Sequence, residues 1–179
     1  VPEIAKEAAQ VYTFQRTPQW MFPNPDYHRA VSEGASWCFR HLPYYGRWYR
    51  FLLFWPATDG TWEGTFVDPQ WPHQERSINA INEFTREMFT DWIRQQCGDD
   101  EALFQRVLPK YPPLARRTLQ DNGSWLQALR RDNVQLVDRE VVALTETAVR
   151  TADGAAFEAD VVVYATGFHA NRYLWPMEI

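Results

Sequence analysis

The chain has 179 residues, enough for one domain or two small ones. Hydrophobic residues make up 45% of it, which is ordinary for a globular protein, and a formal charge of -5 argues against nonspecific nucleic-acid binding. No run approaches the roughly 18 apolar residues of a membrane span; Leu52-Leu53-Phe54-Trp55 is too short and stops at Pro56.

Ile4 to Ala9 reads as the last turns of a helix, and Val11-Tyr12-Thr13-Phe14 as a short β-branched and aromatic strand. A helix feeding a short strand is half of a Rossmann-type repeat. From Pro18 to about Gln74 prolines cut the chain into short pieces, and six of the nine tryptophans recur among them. Val31 to Leu42 and Arg47 to Trp55 could each form a helix. A clearer amphipathic helix is predicted over Asn79 to Gln96, where Ile81, Phe84, Met88, Phe89 and Trp92 fall at helical spacing. Gly98 is placed to terminate it, and Asp99-Asp100 supplies an N-cap for a short helix through Phe104 to Val107. The whole stretch reads as a helical insertion.

Strand structure is expected to return at Val134 to Val137. Val141 to Leu144, Ala148 to Thr151 and Phe157 to Ala159 suit a hairpin arrangement turning at Asp153-Gly154. Then comes Asp160-Val161-Val162-Val163-Tyr164-Ala165-Thr166-Gly167-Phe168. Its apolar run predicts a strand buried on both faces of a parallel sheet, with Thr166-Gly167 turning the backbone at its carboxyl end. Ligands of open α/β sheets bind at such ends, so the stretch points to a nucleotide- or flavin-binding α/β protein.

The residues best suited to chemistry lie in Lys110-Tyr111-Pro112-Pro113-Leu114-Ala115-Arg116-Arg117-Thr118-Leu119-Gln120-Asp121-Asn122-Gly123-Ser124-Trp125. Two prolines predict an extended approach, and adjacent side chains on extended backbone point opposite ways. The two arginines could therefore serve two different anions. A guanidinium stays charged and offers a planar fork of donors to a phosphate or a negatively charged oxygen. An Arg-Arg pair is ordinarily just a solvated face, and only its setting raises this one above that.

Four segments, in order, resemble the middle-to-late part of a flavin-containing Baeyer–Villiger monooxygenase of the hydroxyacetophenone-type branch. They are Phe14-Gln15-Arg16-Thr17-Pro18-Gln19-Trp20, Trp48-Tyr49-Arg50-Phe51, Tyr111 to Gly123, and Arg131-Asp132-Asn133-Val134 leading on to Ala165-Thr166-Gly167. The resemblance implies a partial FAD/NADPH Rossmann-like flavoprotein with a helical insertion. It implies FAD and NADPH as cofactors, and a small-molecule ketone and O2 as reactants. Arg117 would be the active-site arginine stabilising the peroxyflavin and its adduct. Arg116 stands where the family usually has a lysine on the NADPH 2′-phosphate. Thr166 and Gly167 would approach cofactor or linker backbone at a hinge between domains. The implied division is 1–17, the end of an NADPH-binding domain; 18–108, an aromatic-rich helical insertion; 109–159, the return of the NADPH-binding domain; and 160–179, a hinge strand leading to a truncated FAD domain.

The chain departs from the family in having neither a GxGxxG nor an FxGxxxHxxxW fingerprint. An oxygenase acting on nitrogen or sulfur, and a non-catalytic helical interaction module or inert fragment, therefore stay open as alternatives. His28, His41, His73 and His169 show no metal-ligand spacing. Arg16 is expected in a structural ion pair, Asp121 as a helix cap, and the tryptophans mainly as core and domain-packing residues. Cys38 and Cys97 form no CxxC pair, so a reducing cytoplasm is the expected compartment.

Overall fold

A single turn of helix, α1 (Ile4–Glu7), runs into β1 (Val11–Phe14), as those residues predict. The structure is a computed structural model of the chain; it describes residues 1–167 and 177, with the backbone alone at position 57. After β1 come β2 (Met21–Pro23), α2 (Glu33–His41), α3 (Tyr45–Trp62) with a 3-10 turn at Glu63–Thr65, α4 (Ala80–Cys97) and α5 (Glu101–Val107). They are followed by β3 (Leu119–Asp121), α6 (Ser124–Leu129) and β4 (Val134–Val137). These elements fill one contact unit, Val1–Asp138, and the second, Arg139–Ile179, holds β5 (Val141–Leu144), β6 (Ala148–Thr151) and β7 (Ala156–Glu158).

The class is α/β, as expected. In the first unit β1 pairs with β4 in parallel, Val11 opposite Val134 through Phe14 opposite Val137. β2 pairs with β3, also in parallel, Met21 opposite Leu119 through Pro23 opposite Asp121. Parallel partners need a crossover, and here the helices α2 to α5 lie within both. Asn133, just before β4, donates from Nδ2 to the carbonyls of Ala5 (3.0 Å) and Ala8 (2.8 Å). It thus satisfies the carbonyl end of α1, which a one-turn helix cannot satisfy itself. β2 and β3 escape sequence pattern because three residues carry no readable alternation.

α4 starts where the sequence predicts, with Asn79 accepting from the Asn82 amide at 2.8 Å, and stops at Gly98, whose φ of 60° suits glycine. Its buried face is phased differently from the predicted one. Asn82, Thr85, Phe89, Ile93 and Cys97 are buried, whereas Ile81, Phe84 and Met88 are exposed. Two polar residues take core positions because their polar atoms are satisfied there: Thr85 Oγ1 donates to Ile81 O at 2.8 Å, and Asn82 donates twice, as described below.

Two further expectations fail. Pro56 does not end its helix; α3 runs through it. An interior proline removes one helical donor, and the Thr58 hydroxyl adds a bond to Phe54 O at 2.9 Å just beyond it. The tryptophans of α2 and α3 are not core: Trp37, Trp48, Trp55 and Trp62 are all more than half exposed, while Trp20 is buried. Among the described residues no helix is long and apolar enough to cross a membrane.

Cys97 is fully buried and Cys38 partly so, both as free thiols. Burial pushes the Cys97 thiol up from its usual value, reinforced by the Asp100 charge. A raised acid favours the protonated fold, so its contribution is whole below the ordinary thiol pKa and is lost as pH rises beyond it. We expect one fast and one slow thiol in a disulfide-exchange dye assay at mildly alkaline pH. The slow one should react only as the unit unfolds, and two fast thiols would contradict the burial.

The second unit is an antiparallel sheet, β5-β6-β7, with Val149 opposite Phe157 and both buried. The β6–β7 turn falls at Asp153-Gly154, as expected, with Gly154 at φ 86° and Thr151 Oγ1 donating to Asp153 Oδ1 at 2.6 Å. The strand predicted at 160–164 is not formed. Val161 and Val163 are 77% and 71% exposed, and no strand among the described residues pairs with them. An apolar strand buried on both faces requires flanking strands and covering helices, and the described residues do not supply them. Phe168, His169 and most of the predicted 160–179 hinge segment lie outside the described residues.

Candidate functional site

The arginine segment is pinned on both sides. Upstream, Trp20 Nε1 donates to Tyr111 O at 2.9 Å, and the Tyr111 hydroxyl donates to Pro18 O at 3.1 Å. Pro113 O accepts from Asn82 Nδ2 at 2.9 Å. Downstream, the Leu119 amide donates to Trp20 O at 3.0 Å as β3 joins β2. The approach is not extended as the prolines predict. It turns at Leu114, whose φ of 65° is left-handed and strained for a residue with a Cβ.

The two arginines then differ. The Arg116 guanidinium lies 4.9 Å from the Tyr111 ring centroid, a cation–π contact. Burial pushes the Tyr111 phenol up, and the Arg116 charge pulls it partly back. Arg117 is exposed and makes no hydrogen bond or ion pair among the described residues. No described residue occupies its donors, which suit an anion.

β3 ends at Asp121, which is buried. Its Oδ2 accepts from Trp92 Nε1 at 3.3 Å and its Oδ1 from the Trp125 amide at 3.4 Å. The expected capping role is thus partly met, although α6 begins at Ser124 with Gly123 in the cap position. Gly123 has φ 91°, so its conformation calls for glycine, while a Cβ there would meet only the movable ends of the Gln96 and Gln127 side chains.

Thr166 and Gly167 belong to the second unit, Arg116 and Arg117 to the first, so the predicted site residues form two pairs, each placed within its own unit. Thr166 and Gly167 are exposed. Gly167 has a φ of 84°, which suits glycine, and nothing described lies within 4 Å of where its Cβ would be. Arg16 is exposed and makes no ion pair among the described residues, contrary to expectation. An open groove of about 530 Å³ lined by Phe39, Leu42, Tyr44, Gly46, Arg47 and Arg50 contains none of the predicted site residues. The residue that sequence reasoning missed is Asn82. Its signal was a polar residue in phase with Thr85, Phe89 and Ile93, a position where an apolar side chain is the rule.

No protein-family model matches the chain. It is 36% identical over 179 residues to the uncharacterized monooxygenase y4iD of Sinorhizobium fredii, all of this chain and 27% of that protein. It is 28% identical over 188 residues to the FAD-binding monooxygenase ktnD of Aspergillus niger, again covering all of this chain and 27% of the relative. It is 29% identical over 171 residues to a Baeyer-Villiger monooxygenase of Pseudomonas aeruginosa, 96% of this chain and 30% of the relative. Among solved structures, OTEMO in complex with FAD and NADP superimposes with a TM-score of 0.67 at 25% identity, covering 94% of this chain and 35% of that one. Cyclohexanone monooxygenase from Rhodococcus sp. Phi1 bound to NADP+ gives 0.65 at 24% identity, covering 92% and 35%, a likeness of fold. The chain thus spans about a third or less of the curated relatives it matches.

Proposed function

We propose that this chain, which is homologous to a segment of the Baeyer–Villiger and related FAD-binding monooxygenases, contributes the arginine segment of an FAD- and NADPH-dependent enzyme that inserts oxygen into ketones. The observation that carries this reading is Arg117: an exposed guanidinium without an ion pair among the described residues, on five residues held between the Pro113 carbonyl and β3. The overall reaction balances as ketone, O2, NADPH and a proton giving ester, NADP+ and water. FAD, when bound, would supply the oxygen activation and NADPH the two electrons.

The residues present fit these partners. Arg117 would supply fixed positive charge to the negative charge that develops on oxygen. Arg116, held against Tyr111, would take the 2′-phosphate of NADPH through a planar fork where a lysine would offer a point charge. We further propose the division 1–17, 18–108, 109–159 and 160–179 outlined above, with Thr166 and Gly167 at the passage towards an FAD-binding part. Two free cysteines suit a reducing, cytoplasmic setting.

The direct test gives the longer flavoprotein carrying this segment a ketone, NADPH and ¹⁸O2. One labelled oxygen should appear in an ester or lactone, and absence of any such product from a range of cyclic and aryl ketones would sink the reading. A second expectation concerns the 179 residues alone. They contain no glycine-rich dinucleotide fingerprint, so they should retain no FAD through desalting and show no NADPH oxidation. A yellow preparation bleached by NADPH would overturn the placement of the flavin-gripping residues outside this segment.

A further inference from the structure

Asn82 ties three separate stretches of chain to one side chain. It is wholly buried near the start of α4. Its Nδ2 donates to Gly64 O at 3.0 Å, in the 3-10 turn, and to Pro113 O at 2.9 Å, in the arginine segment. Its Oδ1 accepts from the Ile78 amide at 3.4 Å. Two carbonyl partners on one side of the amide fix which atom is nitrogen. Asn79 holds the same turn from its other end, donating to Glu63 O and Phe66 O.

Gly64 and Leu114 complete the knot. A Cβ on Gly64 would lie 3.2 Å from Ile81 Cγ2 and 3.6 Å from Leu114 Cδ1, so the Leu114 side chain seats directly against a glycine that leaves it room. Leu114 is, with Tyr44, one of two described non-glycine residues with left-handed backbone. Such a conformation is strained for a residue with a Cβ and persists only where surrounding bonds over-determine it. The Asn82 bond to Pro113 O is the constraint immediately upstream, and Arg116 and Arg117 follow two and three residues downstream.

We infer that Asn82 is a positioning residue for Arg117: by holding the Pro113 carbonyl it enforces the Leu114 turn and so sets where the arginine pair leaves the fold. Its effect on catalysis rests on the function proposed above; its effect on the segment does not. Asparagine is required because aspartate has no donor, leucine leaves two buried carbonyls unpaired, and glutamine is one methylene too long.

Limited trypsin digestion of the chain, read by mass spectrometry, tests the clamp directly. In Asn82→Leu, cleavage after Arg116 or Arg117 should rise about tenfold relative to cleavage after Arg94 and Arg106, which lie in α4 and α5 of the same unit. A purely structural role would raise all of these together, and an unchanged ratio overturns the inference. Should Asn82→Leu fold poorly, the unmutated chain decides. The Asn82 side-chain amide protons should exchange at least about tenfold more slowly than those of exposed Gln70, and equal rates overturn the clamp. In the longer flavoenzyme, Asn82→Leu should lower the yield of ester per NADPH consumed without loss of FAD. If Arg117→Ala itself leaves ketone oxygenation intact, the functional reading fails, and the trypsin ratio still judges the clamp.

Discussion

Arg117→Ala should lower ketone oxygenation at least about a hundredfold in the longer flavoenzyme proposed to carry this segment. A preorganised cation facing developing negative charge commonly contributes two to three powers of ten, because it needs no reorganisation at the moment of reaction. Arg117 meets the physical requirement: it is exposed and no carboxylate among the described residues neutralises it. Arg117→Lys should recover only part of the loss, since it keeps the charge and gives up the planar fork. Arg116→Ala should behave differently, raising the KM for NADPH more than it lowers kcat, because its partner is proposed to be the cofactor phosphate. Steady-state assays with a ketone and a sulfide separate the rival classes. An enzyme dedicated to nitrogen or sulfur has no ketone adduct to stabilise, so ketone oxygenation that survives Arg117→Ala would refute the assignment.

Trp20→Ala should destabilise the Val1–Asp138 unit by about 3–5 kcal/mol, a large share of the roughly 5–15 kcal/mol that holds an ordinary domain folded. Trp20 is only 1% exposed. It stacks at a tilt on Phe89 with centroids 6.1 Å apart, meets Tyr111 edge-on at 6.4 Å, and carries the Arg86 guanidinium 5.2 Å over its ring. Its indole also holds the Tyr111 carbonyl, so truncation leaves a cavity and an orphaned acceptor together. Trp48→Ala is the control. Trp48 is 65% exposed in α3, and its loss should change the same denaturation midpoint little. Equal effects from the two would show that the core is not centred on Trp20.

The effects differ because burial is decided far away in the chain, and the same division runs through the whole protein. What the sequence alone determined is local. β1, β4 and the β6–β7 turn follow from β-branched runs and an Asp-Gly pair, and the starts of α4 and α5 follow from Asn79 and Asp100, whose side chains bond amides three residues on. Each such interaction closes within a few residues, so neighbouring identities suffice. The order of its motifs also pointed to the monooxygenases to which the chain is similar.

Tertiary structure decided everything that depends on a distant partner. β2 and β3 exist because each is the other's mate. The buried stripe of α4 is rotated to Asn82 because two carbonyls, at Gly64 and Pro113, wait for its amide. The Asp160–Tyr164 run has strand composition yet no mate among the described residues. Residues Arg116 and Arg117 could be picked out by type, but not which of them would be held against Tyr111 and which left open. That difference comes from the turn at Leu114, which brings Arg116 to the Tyr111 ring, and from the distant Trp20 and Asn82 side chains that hold the Tyr111 and Pro113 carbonyls.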